Sequence, residues 1–179
     1  YTLQVVCSLR NANLAGHHWE VVEDIAGFPV REPGFDTFGY FTDMKIRDKR
    51  SRIKDIVHNA HQERLLEDTL EDIVLSWKDC RLELLLYKGT RNTYVLDHRG
   101  LHDIYTQLDD TQITVESILQ SKYVDPLKER ALEWKNRLQL VRQVLDQWMQ
   151  CQQGWEKMEP IFSNNELRKQ LQAENVKFM

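Results

Sequence analysis

Residues 125–161, DPLKERALEWKNRLQLVRQVLDQWMQCQQGWEKMEPI, decide the fold. Leu127, Ala131, Trp134, Leu138, Val141, Leu145, Trp148 and Trp155 follow one another in alternating steps of four and three, and only Gln152 breaks the beat. That rhythm lines the large side chains along one stripe, as a coiled coil or helical bundle requires. Asp125 reads as the N-cap and Pro126 as the first helical residue, while Glu159-Pro160-Ile161-Phe162 reads as the stop. At about 1.5 Å rise per residue, ~36 residues make a helix of roughly 54 Å. A rod of this kind speaks first of a mechanical or scaffolding part.

The flanking sequence supplies partners for the rod. Residues 1–10 are apolar and read as the end of a helix or a strand stub. A helix is expected over 14–26, capped by Asn11 or Asn13 and closed by Gly27, with Leu14, His18, Val21, Val22 and Ile25 facing inward. Residues 28–40 carry Pro29, Pro33, Gly34 and Gly39 among Phe28, Phe35, Phe38 and Tyr40, a loop whose aromatic residues must pack on the domain. A third helix starts at Asp43 or Asp48 and reaches about Lys78. The period then changes: residues 82–96 form two β-prone runs around Lys88-Gly89-Thr90-Arg91-Asn92, a hairpin that needs helices behind it. Helical spacing returns over 100–121, and Ser163 with Glu166 reads as a capping box for a last short helix. The expected fold is mainly α, an elongated antiparallel helical bundle with one inserted β-hairpin. Residues 1–42 form a first part (N-terminal helices and the aromatic loop) and residues 43–179 the bundle proper.

Composition limits the function. The 179 residues are 41% hydrophobic and 29% charged, enough apolar matter for one core under a solvated exterior, and 7 Gly with 4 Pro are too few for an all-β fold. A net charge of −4 argues against a general nucleic-acid binder. The three scattered cysteines, Cys7, Cys80 and Cys151, read as free thiols in a reducing compartment. No apolar run approaches the ~18 residues of a membrane span, so no membrane partner is expected. Starting at Tyr1 and ending on Lys177-Phe178-Met179, the chain reads as a fragment cut from a larger cytosolic polypeptide.

Few constellations suit chemistry. Neither a Walker-type loop nor G-x-G-x-x-G occurs, so no cofactor-binding residue is assigned. His17 and His18 are adjacent, and successive helical side chains point about 100° apart. The two are therefore expected not to grip one metal from that helix, and the pair to be structural, with His18 and Trp19 packing on neighbouring elements. His58 and His61 share a face but lack a third ligand nearby in sequence, so no metal is assigned. Glu67/Glu71 and Asp68/Asp72 fit a solvated helix face; acid–base work would need a desolvated pocket to separate their pKa values. No catalytic residue emerges. Arg47, Lys49, Arg50 and Arg52, with Lys45 and Lys54, form a basic run at a helix start and a candidate patch for an acidic partner. Trp19, Trp77, Trp134, Trp148 and Trp155, with Leu138 and Leu145, are the expected structural core.

Several stretches together resemble the linker region of dynein heavy chains. Leu9-Arg10-Asn11 followed by His18-Trp19-Glu20 is similar to the start of that region. The likeness continues through Leu70-Glu71-Asp72-Ile73, Trp77-Lys78, Tyr87-Lys88 and Thr93-Tyr94-Val95-Leu96. It is most specific from Ser121 to Phe162, with Tyr123-Val124-Asp125-Pro126, the spaced tryptophans and Glu159-Pro160-Ile161-Phe162-Ser163. Departures are His17, where members usually carry Arg, and residues 31–41. The resemblance implies a non-catalytic lever that transmits the cycle of a ring of AAA+ ATPase modules into movement along microtubules, in an axonemal dynein of cilia or flagella. It implies as partners the AAA+ ring of the same heavy chain, the tail with its associated subunits, and microtubules through the parent motor. ATP and Mg would belong to that parent motor and not to this segment. Two other readings compete with it. A stand-alone spectrin-like or coiled-coil scaffold does not need the hairpin, and a small helical enzyme would need a buried, perturbed cluster.

Overall fold

Helices end where the sequence stops supporting them, and the stops are side-chain and backbone events that can be named. A computed structural model describes residues 2–10, 13–31, 46–90 and 92–178. In chain order these form α1 (Thr2–Leu9), α2 (Gly16–Ala26), a 3₁₀ turn (Ile46–Lys49), α3 (Arg50–Lys78), β1 (Leu84–Leu86), β2 (Tyr94–Leu96), α4 (His98–Gln120), a 3₁₀ turn (Asp125–Leu127), α5 (Lys128–Ser163), α6 (Asn165–Gln170) and α7 (Gln172–Phe178). The fold is mainly α with one antiparallel hairpin among the described residues. No described helix is long and apolar enough to cross a membrane. The expected boundary at residues 42 and 43 and the aromatic loop from Phe35 to Tyr40 lie outside the described residues.

The chain divides into two compact units, residues 1–76 with 117–131, and residues 77–116 with 132–179. In the first, Val5, Leu9, Val22, Ile25, Ala26, Phe28, Val30, Ile53 and Ile56 make one buried cluster, with Leu14 and Trp19 packed against it. Gly27 ends α2 in the left-handed region (φ +81°), and its N–H donates to Glu23 O at 2.7 Å. Only glycine adopts that conformation without cost. Val21, expected inward, is 48% exposed. The two charged ends Arg130 and Glu71 form an ion pair within this unit.

In the second unit the hairpin register pairs Leu84 with Leu96, Leu85 with Val95 and Leu86 with Tyr94. Helices α4 and α5 run antiparallel here, as their polar contacts record. Glu116 pairs with Lys135 (3.5 Å), Asp109 with Arg142, and Tyr105 Oη donates to Asp146 Oδ1 (2.6 Å). Each step back along α4 matches an equal step forward along α5.

This ladder corrects the seam read from the sequence. Ala131, Leu138, Leu145 and Gln152, seven residues apart, are all buried. The column beside them lies four residues on, not three: Lys135 and Arg142 lie half-buried and Met149 buried. Long basic side chains lay their stems on the apolar surface while their charges reach acidic partners, so they fill a seam that a hydrophobic template skips. The column three residues on turns outward. Trp148 is 43% exposed and Val141 38%, so Trp148 does not belong to the core. Trp134 and Trp155 are half-buried.

Gln152, the apparent break, is the residue that fastens the hairpin. Its Oε1 accepts Leu96 N–H at 2.8 Å and its Nε2 donates to Leu96 O at 3.2 Å, with both residues buried. Other stops move slightly. Val124, with no side-chain cap, precedes the 3₁₀ turn at Asp125, so Asp125 is not an N-cap of the long helix. Pro160 sits inside α5, which runs on to Ser163 because Phe162, 6% exposed, anchors the last turn and Ser163 Oγ donates to Glu159. Asn164, not Ser163, caps the following helix by accepting Glu166 N–H at 2.9 Å.

Two outcomes follow for stability. Gln152→Ala strands a buried N–H and a buried C=O of Leu96 and should cost about 2–4 kcal/mol, whereas Trp148→Ala should cost less than about 1.5 kcal/mol, well below the ~3–5 of a buried tryptophan. Urea unfolding of both variants tests the order, and a larger loss at Trp148 would restore the tryptophan seam. Burial, then the bond to Asp146, push the Tyr105 hydroxyl from 10.0 up to about 12. The folded chain keeps a proton that the unfolded chain has released, so stability should fall as pH rises from 10 to 12. Tyr105→Phe should remove that part of the slope; parallel wild-type and variant profiles would rule it out.

Candidate functional site

The first unit holds a cavity of about 590 Å³ between the start of α2, the middle of α3 and the Pro126-Leu127 turn. Its polar wall comes from Asn13, His17, His18, Glu63, Arg64 and Glu67. The chain places these residues by helix arithmetic: Ala60, Glu63, Arg64 and Glu67 lie three or four apart on one face of α3.

His17 and His18 meet at a single acceptor. Glu63 Oε2 lies 3.0 Å from His17 Nε2 and 3.1 Å from His18 Nε2. The rings are 3.9 Å apart and tilted by 39°. The expectation that adjacent histidines diverge holds for their Cα–Cβ bonds, but two side-chain torsions and the length of the ring bring the far nitrogens back together. His18 is 5% exposed; its Nδ1 accepts Ala15 N–H at 3.1 Å, and its buried Nε2 makes no hydrogen bond of good geometry. Glu63 carried no signal in the sequence, because one glutamate among many on α3 becomes special only through a tertiary contact.

The other histidines are engaged separately. His61 Nδ1 is 3.2 Å from Asn13 Nδ2, and the His58 ring meets Tyr123 edge-on at 6.2 Å. Three carboxylates of α3 have cationic partners: Arg64 binds Glu67 and Asp68, and Arg130 binds Glu71.

The basic run is not one surface. Lys49 Nζ donates to Ala26 O at 2.8 Å, where it satisfies the C-terminus of α2 and sits favourably at the negative end of that helix. Lys49 thereby leaves the proposed partner patch. The side chain of Arg47 lies outside the described residues, and Arg52 is exposed. Arg50 has its own contact.

Among the tryptophans, Trp77 Nε1 donates to the buried Thr111 Oγ1 at 3.0 Å, Trp19 lies half-buried under Arg31 at 5.9 Å, and Trp134 faces Arg137 at 5.7 Å. Arg31 also grips Glu23 and holds its carboxyl below the usual range. Trp155 packs edge-on against Tyr87 at 4.7 Å. Tyr87 Oη and Lys88 Nζ both donate to Glu159 Oε2, at 3.1 and 3.3 Å. With Ser163 as the largest influence, these donors lower the Glu159 pKa. They tie the hairpin turn to the end of α5.

Many apolar side chains stay exposed in the second unit. On α5 they include Leu140, Val141, Val144, Trp148, Met158 and Ile161; on the hairpin they include Leu82, Leu84, Leu85, Leu86 and Tyr94. All three residues of β1 are exposed.

The pattern of the family described as "Dynein heavy chain, N-terminal region 2" matches residues 1–179. Human "Dynein axonemal heavy chain 6" is 32% identical over 178 residues, 99% of this chain and 4% of the relative. Mouse "Dynein axonemal heavy chain 1" is 29% identical over 98% of this chain and 4% of its own. The "Dynein gamma chain, flagellar outer arm" of Chlamydomonas reinhardtii is 25% identical over 96% of this chain, again 4% of the relative. The chain thus spans about 4% of the length of the relatives it matches. It belongs to the dynein heavy chain family, and what it carries is N-terminal region 2 of such a heavy chain.

Proposed function

We propose that this segment is a non-catalytic part of the linker of an axonemal dynein heavy chain, a lever that converts the ATPase cycle of the AAA+ ring into movement along microtubules. The observation that carries the reading is the match of the whole chain to the family's N-terminal region 2, joined to helices of 29, 23 and 36 residues. A lever must resist bending, and continuous helices backed by a buried seam do so. ATP and Mg²⁺ act in the AAA+ modules of the parent chain. The axonemal relatives support a place in the cytoskeleton of cilia or flagella.

The uncovered leucines of the hairpin and the outer face of α5 are, in this reading, where the segment lies against the rest of its own heavy chain. With this chain matching only about 4% of each relative, ample heavy chain exists to cover that surface. The tail with its associated subunits is the other expected neighbour.

Deleting these residues from the parent heavy chain should abolish microtubule gliding while basal ATP hydrolysis persists, and the isolated 179 residues should turn over no ATP above background. Gliding at the normal speed by the deleted motor would sink the lever reading. Sustained hydrolysis by the clean fragment would sink the non-catalytic one.

A further inference from the structure

We propose that His17, His18 and Glu63 form a site for a divalent transition-metal cation, with Zn²⁺ the ion that the donors suit best. Two imidazoles and one carboxylate are a donor set that zinc takes, and three protein ligands leave a fourth position for water or another side chain. The potential ligand atoms all lie within 4.8 Å of one another. The two nitrogen–oxygen separations, 3.0 and 3.1 Å, are near the roughly 3.3 Å between neighbouring ligands around tetrahedral zinc, given bonds of about 2.0–2.1 Å. Modest side-chain movement makes room for the ion.

The independent pointer to a ligand is His18. Its Nε2 is buried, faces the carboxylate and has no hydrogen bond of good geometry. Buried polar atoms are almost always satisfied, and a cation lying between the three donors satisfies this one. Glu63 brings the negative charge that a buried dication needs, and Arg64 does not compete for it, being engaged by Glu67 and Asp68. His17, His18 and Glu63 all line the cavity.

Loading changes one proton. As it stands, His18 Nδ1 accepts from Ala15 N–H, which puts the proton of the neutral ring on Nε2. When Nε2 binds metal, the ring carries its proton on Nδ1 instead, and Ala15 N–H passes to water at this exposed helix start. Bound metal would cross-link the first turn of α2 to the middle of α3, a restraint beyond anything the lever reading requires.

The test is titration of the 179-residue chain with Zn²⁺ by calorimetry and with Co²⁺ by visible absorption, alongside thermal melts. We expect one ion per chain, a tetrahedral Co²⁺ spectrum and a melting temperature raised by Zn²⁺. His17→Ala and Glu63→Gln should each weaken binding at least about tenfold and abolish the thermal gain. Both positions are polar and not fully buried, so these variants should fold, as far-UV circular dichroism would verify; His18→Ala is avoided because that ring is core. His98 and His102, exposed and four apart on α4, are the competing surface pair. Binding that survives His17→Ala and Glu63→Gln but falls with His102→Ala would overturn the proposal, and so would wild-type chain that binds neither ion.

Discussion

One buried side chain decides whether the second unit holds together. A two-stranded hairpin is marginal in water on its own, and here every residue of β1 is exposed, so that strand gains little from apolar contacts. Gln152 offers a carbonyl and an amide at the spacing of one residue's backbone, and Leu96 donates its N–H to the first and accepts from the second with its carbonyl. The exchange mimics the pairing of another strand. It extends the ladder β1–β2 by a side chain from α5 and leaves neither Leu96 group stranded. Tyr87 and Lys88, gripping Glu159 about two turns further along α5, hold the other end of the hairpin.

That arrangement explains which parts were readable in advance. The hairpin, the three long helices and the glycine stop at Gly27 rest on local signals: a period change, an apolar repeat, a positive φ. These survive without knowledge of neighbours. The seam of α5 was readable in one column only, Ala131, Leu138 and Leu145, because of its two neighbouring columns the outward one, Trp134, Val141 and Trp148, is the more apolar. The choice between Trp148 and Met149 depends on which side α4 occupies, and a single helix does not encode that. Lys135 and Arg142 would have revealed it had basic residues at helical spacing been weighed as stems as well as charges. Gln152 was visible as a polar residue on an apolar column, the commonest sequence sign of a buried hydrogen bond. Lys49 and Glu63 were not visible at all, since each takes its role from a residue far away in sequence.

The tryptophan face then changes meaning. Turned away from α4, the repeat of Val141, Val144, Trp148 and Met158 is as regular as a core stripe while remaining exposed. An apolar repeat that finds no partner inside its own unit is what a segment of a larger assembly should show, and Leu84, Leu85 and Leu86 repeat the pattern on the hairpin. Family membership and uncovered surface are separate observations that lead to the same reading.

The polar ladder between α4 and α5 serves alignment more than stability. Exposed ion pairs contribute roughly 0–1 kcal/mol each, so two of them and one exposed hydrogen bond add little to a fold held by its apolar seam. Their common register is another matter. Sliding α5 by one turn in one direction sets Asp146 against Asp109 and Arg142 against Ile113, a repulsion and a lost pair. Sliding it the other way sets Asp146 against Leu101 and Lys135 against Gln112, and no pair survives. An apolar stripe alone would tolerate either slip, because leucines and valines recur at every turn. Charges placed seven apart on both helices make one alignment distinct from its neighbours. For the lever proposed above, which would return to the same shape after each cycle of load, a unique register would matter more than an extra kilocalorie.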